Sequence, residues 1–101
     1  MIIVTGTLHA RVDSLADVLA LSREHVLRSR AEPGCLEHGV AISDDDAMQL
    51  VFFERWADMA ALGVHLKLPA SRGFGKGVAG LVDRPPTLNI YDASELALPR
   101  G

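Results

Sequence analysis

The stretch from Met48 to Trp56 carries the strictest alternation in the chain, with Leu50, Phe52, Glu54 and Trp56 on one side and Val51, Phe53 and Arg55 on the other. A period of two sustained over this length by aromatic and β-branched residues reads as a strand. A second alternating stretch, Cys35 to Ser43, places Leu36, His38, Val40 and Ile42 on one side and precedes the first across the turn Asp44-Asp45-Asp46. Two strands this close in sequence form a hairpin, and a hairpin with apolar residues on both faces must be covered by other elements.

Those elements are legible on either side. Ile2 to Leu8 is a β-rich run ended by the polar cluster Arg11 to Ser14, where Asp13 or Ser14 is the expected N-cap of a helix. Leu15, Val18, Leu19, Ser22 and Val26 then recur at helical spacing until Pro33 and Gly34 force a turn. After the hairpin, Asp58 caps a helix from Met59 to about Lys67, and Pro69 introduces a second helical piece, Ala70 to Val82. That piece sets Phe74, Val78 and Leu81 on one side but holds Gly73, Gly75, Gly77 and Gly80, each destabilising by roughly 0.5–1 kcal/mol relative to Ala in a helix interior. Thr87 to Ala93 alternates once more.

The order is strand, helix, strand, strand, helix, strand. This is an α+β chain of ferredoxin-like βαββαβ type: a four-stranded antiparallel sheet with its helices on one face. With 101 residues it reads as one domain over 1–101, a core from 2 to 93 and a C-terminal tail from 94 to 101 in which Leu96 and Leu98 are unusually apolar. The helices leave the other sheet face bare, and Val51 and Phe53 point there. A second copy packing sheet against sheet would cover them, so a homodimer is expected.

Composition narrows the partners. A net charge of −3 offers no positive field for nucleic acid or anionic lipid. Cys35, the only cysteine, allows neither an internal disulfide nor a thiolate metal cage, which fits a cytoplasmic location. Met1 to Leu8 lacks a basic leader and is broken by Thr5, Gly6 and Thr7, so no signal peptide or membrane span is expected.

Three local patterns invite chemistry and yield little. Gly75 to Gly80 has the letters of a dinucleotide fingerprint, but it sits late in a helical segment instead of between a parallel strand and a helix. Asp44 to Asp46 lacks the spaced ligands and distal glutamate of a calcium loop. Cys35 has no base implied beside it and reads as a small hydrophobe.

Glu54, Trp56 and His65 are different. Glu54 and Trp56 share a strand face, and the helix begun by Asp58 carries His65 back over it, so a carboxylate, an indole and an imidazole meet between sheet and helices. An imidazole is the usual general base near neutral pH, and a carboxylate beside it orients the ring. A strand tryptophan and a helix histidine serve equally as core and surface residues, so the residues alone leave catalysis and structure both open.

The run Glu32-Pro33-Gly34-Cys35-Leu36, then Phe53-Glu54-Arg55-Trp56 with Asp58, then His65-Leu66, resembles the antibiotic biosynthesis monooxygenase family, and the likeness extends from Val4 to Tyr91. The resemblance implies a dimeric α/β barrel with a pocket between each sheet and its helices. It also implies a cofactor-independent monooxygenase that oxidises a small phenolic, quinol or polyketide-like substrate with O₂, with no metal. In that scheme His65 is the base, Glu54 its orienter, and Trp56 and Phe52 apolar walls; Phe74 also contacts substrate, and His38 or Arg72 steadies the developing oxyanion. The haem-degrading branch does not match, since His65, Gly75 and Gly6 stand where it has a tryptophan, a histidine and an asparagine. Phe52 likewise replaces the strand asparagine of the polyketide branch. A non-catalytic dimeric binding domain, a purely structural association module and an isomerase-type enzyme acting on a signalling molecule are the alternatives.

Overall fold

A computed structural model describes residues 1–100; Gly101, the last residue of the expected tail, lies outside the described residues. The elements run β1 (Ile2–His9), α1 (Leu15–Arg30), β2 (Cys35–Ile42), β3 (Gln49–Trp56), α2 (Met59–Lys67), α3 (Pro69–Ala79) and β4 (Thr87–Asp92). The strands form one antiparallel sheet in the order β2-β3-β1-β4. This is the ferredoxin-like α+β arrangement expected from the element order.

Local chemistry sets the boundaries. Asp58 caps α2, its Oδ1 accepting from the Ala61 amide at 2.8 Å. Pro69 opens α3 without losing a hydrogen bond, because the first amides of a helix have no partner in the helix, and Leu68 before it is extended, as a residue preceding proline must be. Ser14 is the N-cap of α1 but makes no side-chain cap bond, since its hydroxyl turns to Asp13 Oδ1 at 3.2 Å. Gly34 has φ +81°, and a Cβ there would lie 2.5 Å from Ala61 Cβ, so only glycine lets the α1–β2 turn pass this close to α2. The glycines of Gly75 to Gly80 fall within α3 and at its C-cap, which is not the strand-to-helix setting a dinucleotide fingerprint needs.

Register determines which side chains face the helices. Ile2, Val4, Gly6 and Leu8 of β1 pair with Trp56, Glu54, Phe52 and Leu50 of β3, and all eight point to the helical side. A β-bulge between Cys35 and Glu37 shifts β2, so Cys35 pairs with Trp56 and His38 with Glu54. Leu36, expected on the same face as His38, is thereby left half exposed. The opposite face carries Val51 and Phe53, exposed as expected. Leu96 and Leu98 of the tail are exposed in this single chain.

Two apolar clusters hold helices to sheet. Leu8, Ala10, Val18, Leu50 and Val78 form one; Ile2, Val4, Trp56 and Leu62 form the other. Between the Leu8–Leu50 and Ile2–Trp56 rungs lies the rung of Val4, Glu54 and His38. The middle of the core is therefore polar.

Candidate functional site

Three elements each send an imidazole into that polar middle. His25 projects from α1 next to Val26, His38 from β2, and His65 from the last turn of α2, and all three are buried. Ring centroids lie 5.4 Å apart for His25–His38, 5.2 Å for His25–His65 and 5.6 Å for His38–His65. Trp56 lies 4.6 Å from His65, as the shared strand face implies, and Phe74 of α3 stacks on His25 at 4.2 Å with ring planes 8° apart.

Carboxylates partner these rings, though not in the expected pairing. His65 Nδ1 donates to Glu32 Oε1 at 2.9 Å, so the orienting carboxylate comes from the turn after α1. Glu54, expected in that role, accepts instead from Trp56 Nε1 at 2.9 Å. Its Oε1 also lies 3.3 Å from His38 Nε2, within ion-pair range but off the direction of a hydrogen bond. Both ring nitrogens of His38 are thus buried without a hydrogen-bond partner among the described residues. This is uncommon, since nearly all buried polar atoms in folded proteins are paired.

The electrostatics follow from the packing. Burial is the chief reason the His25 pKa falls from 6.5 to about 4, and the neighbouring His38, His65 and Arg28 push the same way. His25 is therefore neutral at pH 7. For Glu54, burial raises the pKa, but the His38 contact and the Trp56 N–H outweigh it and leave the carboxyl below its ordinary range. Glu54 is the fixed negative charge at the centre of the cluster.

The cluster opens onto a cavity of about 590 Å³ between α3, the sheet and the segment from Val82 to Leu88. His25, His65 and Glu54 line it beside the apolar Phe52, Phe74, Val78 and Leu88, and Asp83 and Arg84 of the segment after α3 line it too. Its size falls in the range of small-molecule sites. Of the lining residues, Asp83 pairs through Oδ1 with His9 Nδ1 at 2.9 Å, and His9 Nε2, outside the lining, reaches Asp46 at 2.8 Å. Asp46 belongs to the acidic turn, so that turn is tied back to β1 and is not simply solvated.

Of the residues singled out from sequence, His65, Glu54, Phe52 and Phe74 line this cavity. Trp56 is fully buried behind His65 and His38 is sealed within the core, so neither is on the cavity wall. Arg72 is exposed on α3 and outside the wall. It lies two residues from the inward-facing Phe74, roughly 200° round the helix. His25 and Glu32 complete the arrangement and were not among the expected site residues. His25 adjoins the apolar stripe of α1 at Val26, and a histidine at that position was a signal available in the sequence.

No helix among the described residues is long and apolar enough to cross a membrane. Residues 1–77 match the family described as antibiotic biosynthesis monooxygenase. A Deinococcus radiodurans structure assigned to that family superposes with a TM-score of 0.93 at 26% identity, covering 100% of both chains. Rv0793 from Mycobacterium tuberculosis superposes with a TM-score of 0.88 at 27% identity, over 96% of this chain and 98% of that one. An uncharacterized Synechocystis protein, sll1783, is 30% identical over 94 residues, which is 93% of this chain and 64% of the relative's length. The chain thus spans somewhat less than two thirds of that relative. The fold and the cavity support a monooxygenase-like or small-molecule-binding role, and the chain belongs to the antibiotic biosynthesis monooxygenase family.

Proposed function

We propose that the protein oxidises a small electron-rich aromatic, a phenol, quinol or enol, with O₂. The observation that supports this reading most is the cavity's lining, in which aromatic and aliphatic side chains stand with a neutral imidazole, a carboxylate-oriented imidazole and a carboxylate. Such a site suits a flat apolar ring that presents a hydroxyl to be deprotonated.

The ring packs against Phe52 and Phe74 with its hydroxyl toward His65. His65 Nε2 takes the proton, and Glu32 on Nδ1 stabilises the resulting imidazolium. The substrate anion gives one electron to O₂, and the radical and superoxide combine into a carbon–oxygen bond. His65 returns its proton to the peroxide, and loss of the hydrogen on the peroxidised carbon with cleavage of the O–O bond expels water and leaves a ring carbonyl, so one oxygen atom enters product and the other leaves as water. His25, in the cavity lining, takes the oxyanion-facing place expected of His38 or Arg72.

The bare sheet face of Val51, Phe53 and Tyr91 pairs with a second copy in this reading, giving a homodimer with one cavity in each protomer. The test is oxygen uptake with a panel of quinols and hydroxylated polycyclic aromatics. Turnover by the wild type that falls at least about 100-fold in His65→Gln, with folding intact, supports the reading. Turnover unchanged in that variant, or absent with every substrate while the aromatics bind tightly, overturns it in favour of a binding domain.

A further inference from the structure

The imidazoles of His25, His38 and His65 converge more closely than one proton-transfer base requires. Their ligand-capable nitrogens all lie within 4.8 Å of one another, and they come from α1, β2 and α2, far apart in sequence. We propose that these three histidines form a binding site for a divalent transition cation of the zinc or ferrous type, with a remaining coordination position open to the cavity.

Four features of the site support it. First, both ring nitrogens of His38 are buried without a hydrogen bond, Nε2 having only its 3.3 Å contact with Glu54, and metal ligation would satisfy one of them. Second, His65 Nδ1 is held by Glu32, leaving Nε2 as the donor atom. A carboxylate on the far nitrogen is the usual device that fixes the tautomer of a ligating histidine. Third, the Glu54 carboxylate beside His38 and Glu32 one bond further out supply negative charge to offset a dication. Fourth, His25 and His65 face the cavity while His38 closes the site from behind, so the coordination sphere is open on one side, as in catalytic and not structural zinc sites.

The geometry is close to closed. Metal–nitrogen bonds of about 2.0–2.1 Å in a tetrahedral site place donor atoms roughly 3.3 Å apart, so no pair need approach by more than about 1.5 Å. Imidazole donors suit zinc, iron, copper and nickel and not magnesium or calcium. Arg28 Nη2 lies 3.5 Å from His25 Nδ1, at the outer limit of hydrogen bonding.

The test titrates cobalt(II) into the full chain, free of any histidine tag and stripped with a chelator. One ion per chain with micromolar or tighter affinity, visible d–d absorption and a raised Tm are expected. Affinity should fall at least about 100-fold in His38→Gln and roughly 10–100-fold in Glu32→Gln, and stay unchanged in His9→Gln, which lies outside the cavity lining. No saturable binding by the wild type, or equal binding by His38→Gln, overturns the proposal. Should His38→Gln fail to fold, proton NMR of the cobalt-loaded wild type decides: paramagnetically shifted resonances from the rings at 25, 38 and 65 support the site, and shifted resonances from His9 instead refute it. Binding does not rest on the oxygenase reading. Ligation takes the same His65 Nε2 lone pair that accepts the substrate proton in that reading, so oxygen uptake is measured on metal-free protein. Uptake with no cobalt binding keeps the oxygenase reading and ends this one, and cobalt binding with no uptake by the metal-free protein does the reverse.

Discussion

His25 makes stability depend on pH in a calculable way. Its folded pKa of about 4 lies below the unfolded value of 6.5, so the folded state resists the proton that the unfolded chain accepts. The stability it contributes is complete above pH 6.5 and is lost as pH falls from 6.5 to 4. The full difference of 2.5 units, at about 1.4 kcal/mol each, is on the order of 3 kcal/mol. By pH 5.5 the loss is already about 1.4 kcal/mol, before Glu54, held below its ordinary range, begins to protonate. Urea unfolding at pH 7.5, 6.5 and 5.5 measures this directly. The wild type should lose about 1.4 kcal/mol across the range relative to His25→Gln, which carries no titrating ring at that position. The comparison with the variant cancels contributions from groups elsewhere in the chain. Parallel pH profiles for the two proteins would refute the reasoning, because they would mean that His25 protonates as easily in the folded chain as in the unfolded one.

Other expected outcomes are simpler. Gly34→Ala places a methyl group against Ala61 at positive φ and should destabilise by at least about 2 kcal/mol in denaturant unfolding. Trp56→Phe removes both the N–H to the buried Glu54 oxygen and the volume of the second indole ring in a fully buried position, and should cost at least about 2 kcal/mol and raise the Glu54 pKa, read by carboxyl NMR titration. Phe53→Asp puts a charge on the bare sheet face, and light scattering should show a dimeric wild type and a monomeric variant.

The architecture was legible because it rests on periodicity. Alternation in Met48–Trp56 and helical spacing around Val18 depend on local sequence alone. The bulge at Cys35–Glu37 was not legible, since shifting β2 by one residue keeps its alternation intact from either starting point. The partnering of His65 was misread for a related reason. Glu54 is near it in sequence and shares the sheet face, whereas Glu32 reaches it only because the Pro33-Gly34 turn folds back against α2. His25 lies on α1, which periodicity describes by its apolar stripe, so a polar residue beside that stripe goes unremarked; Glu32 lies in the turn after α1, where no periodicity operates. Arg72, the oxyanion partner that the resemblance implies, sits about 200° round α3 from Phe74, and that offset turns it outward.

The central claim is that the histidine-lined cavity, and not the bare sheet face, receives the ligand. Heteronuclear NMR titration with a redox-inert methoxyphenol tests it most directly. The account predicts shift changes at Gly6, Phe52, Phe74 and Leu88 together with the ring signals of His25 and His65. Changes confined to Val51, Phe53 and Tyr91, or a saturating ligand that leaves both histidine rings unmoved, would contradict it.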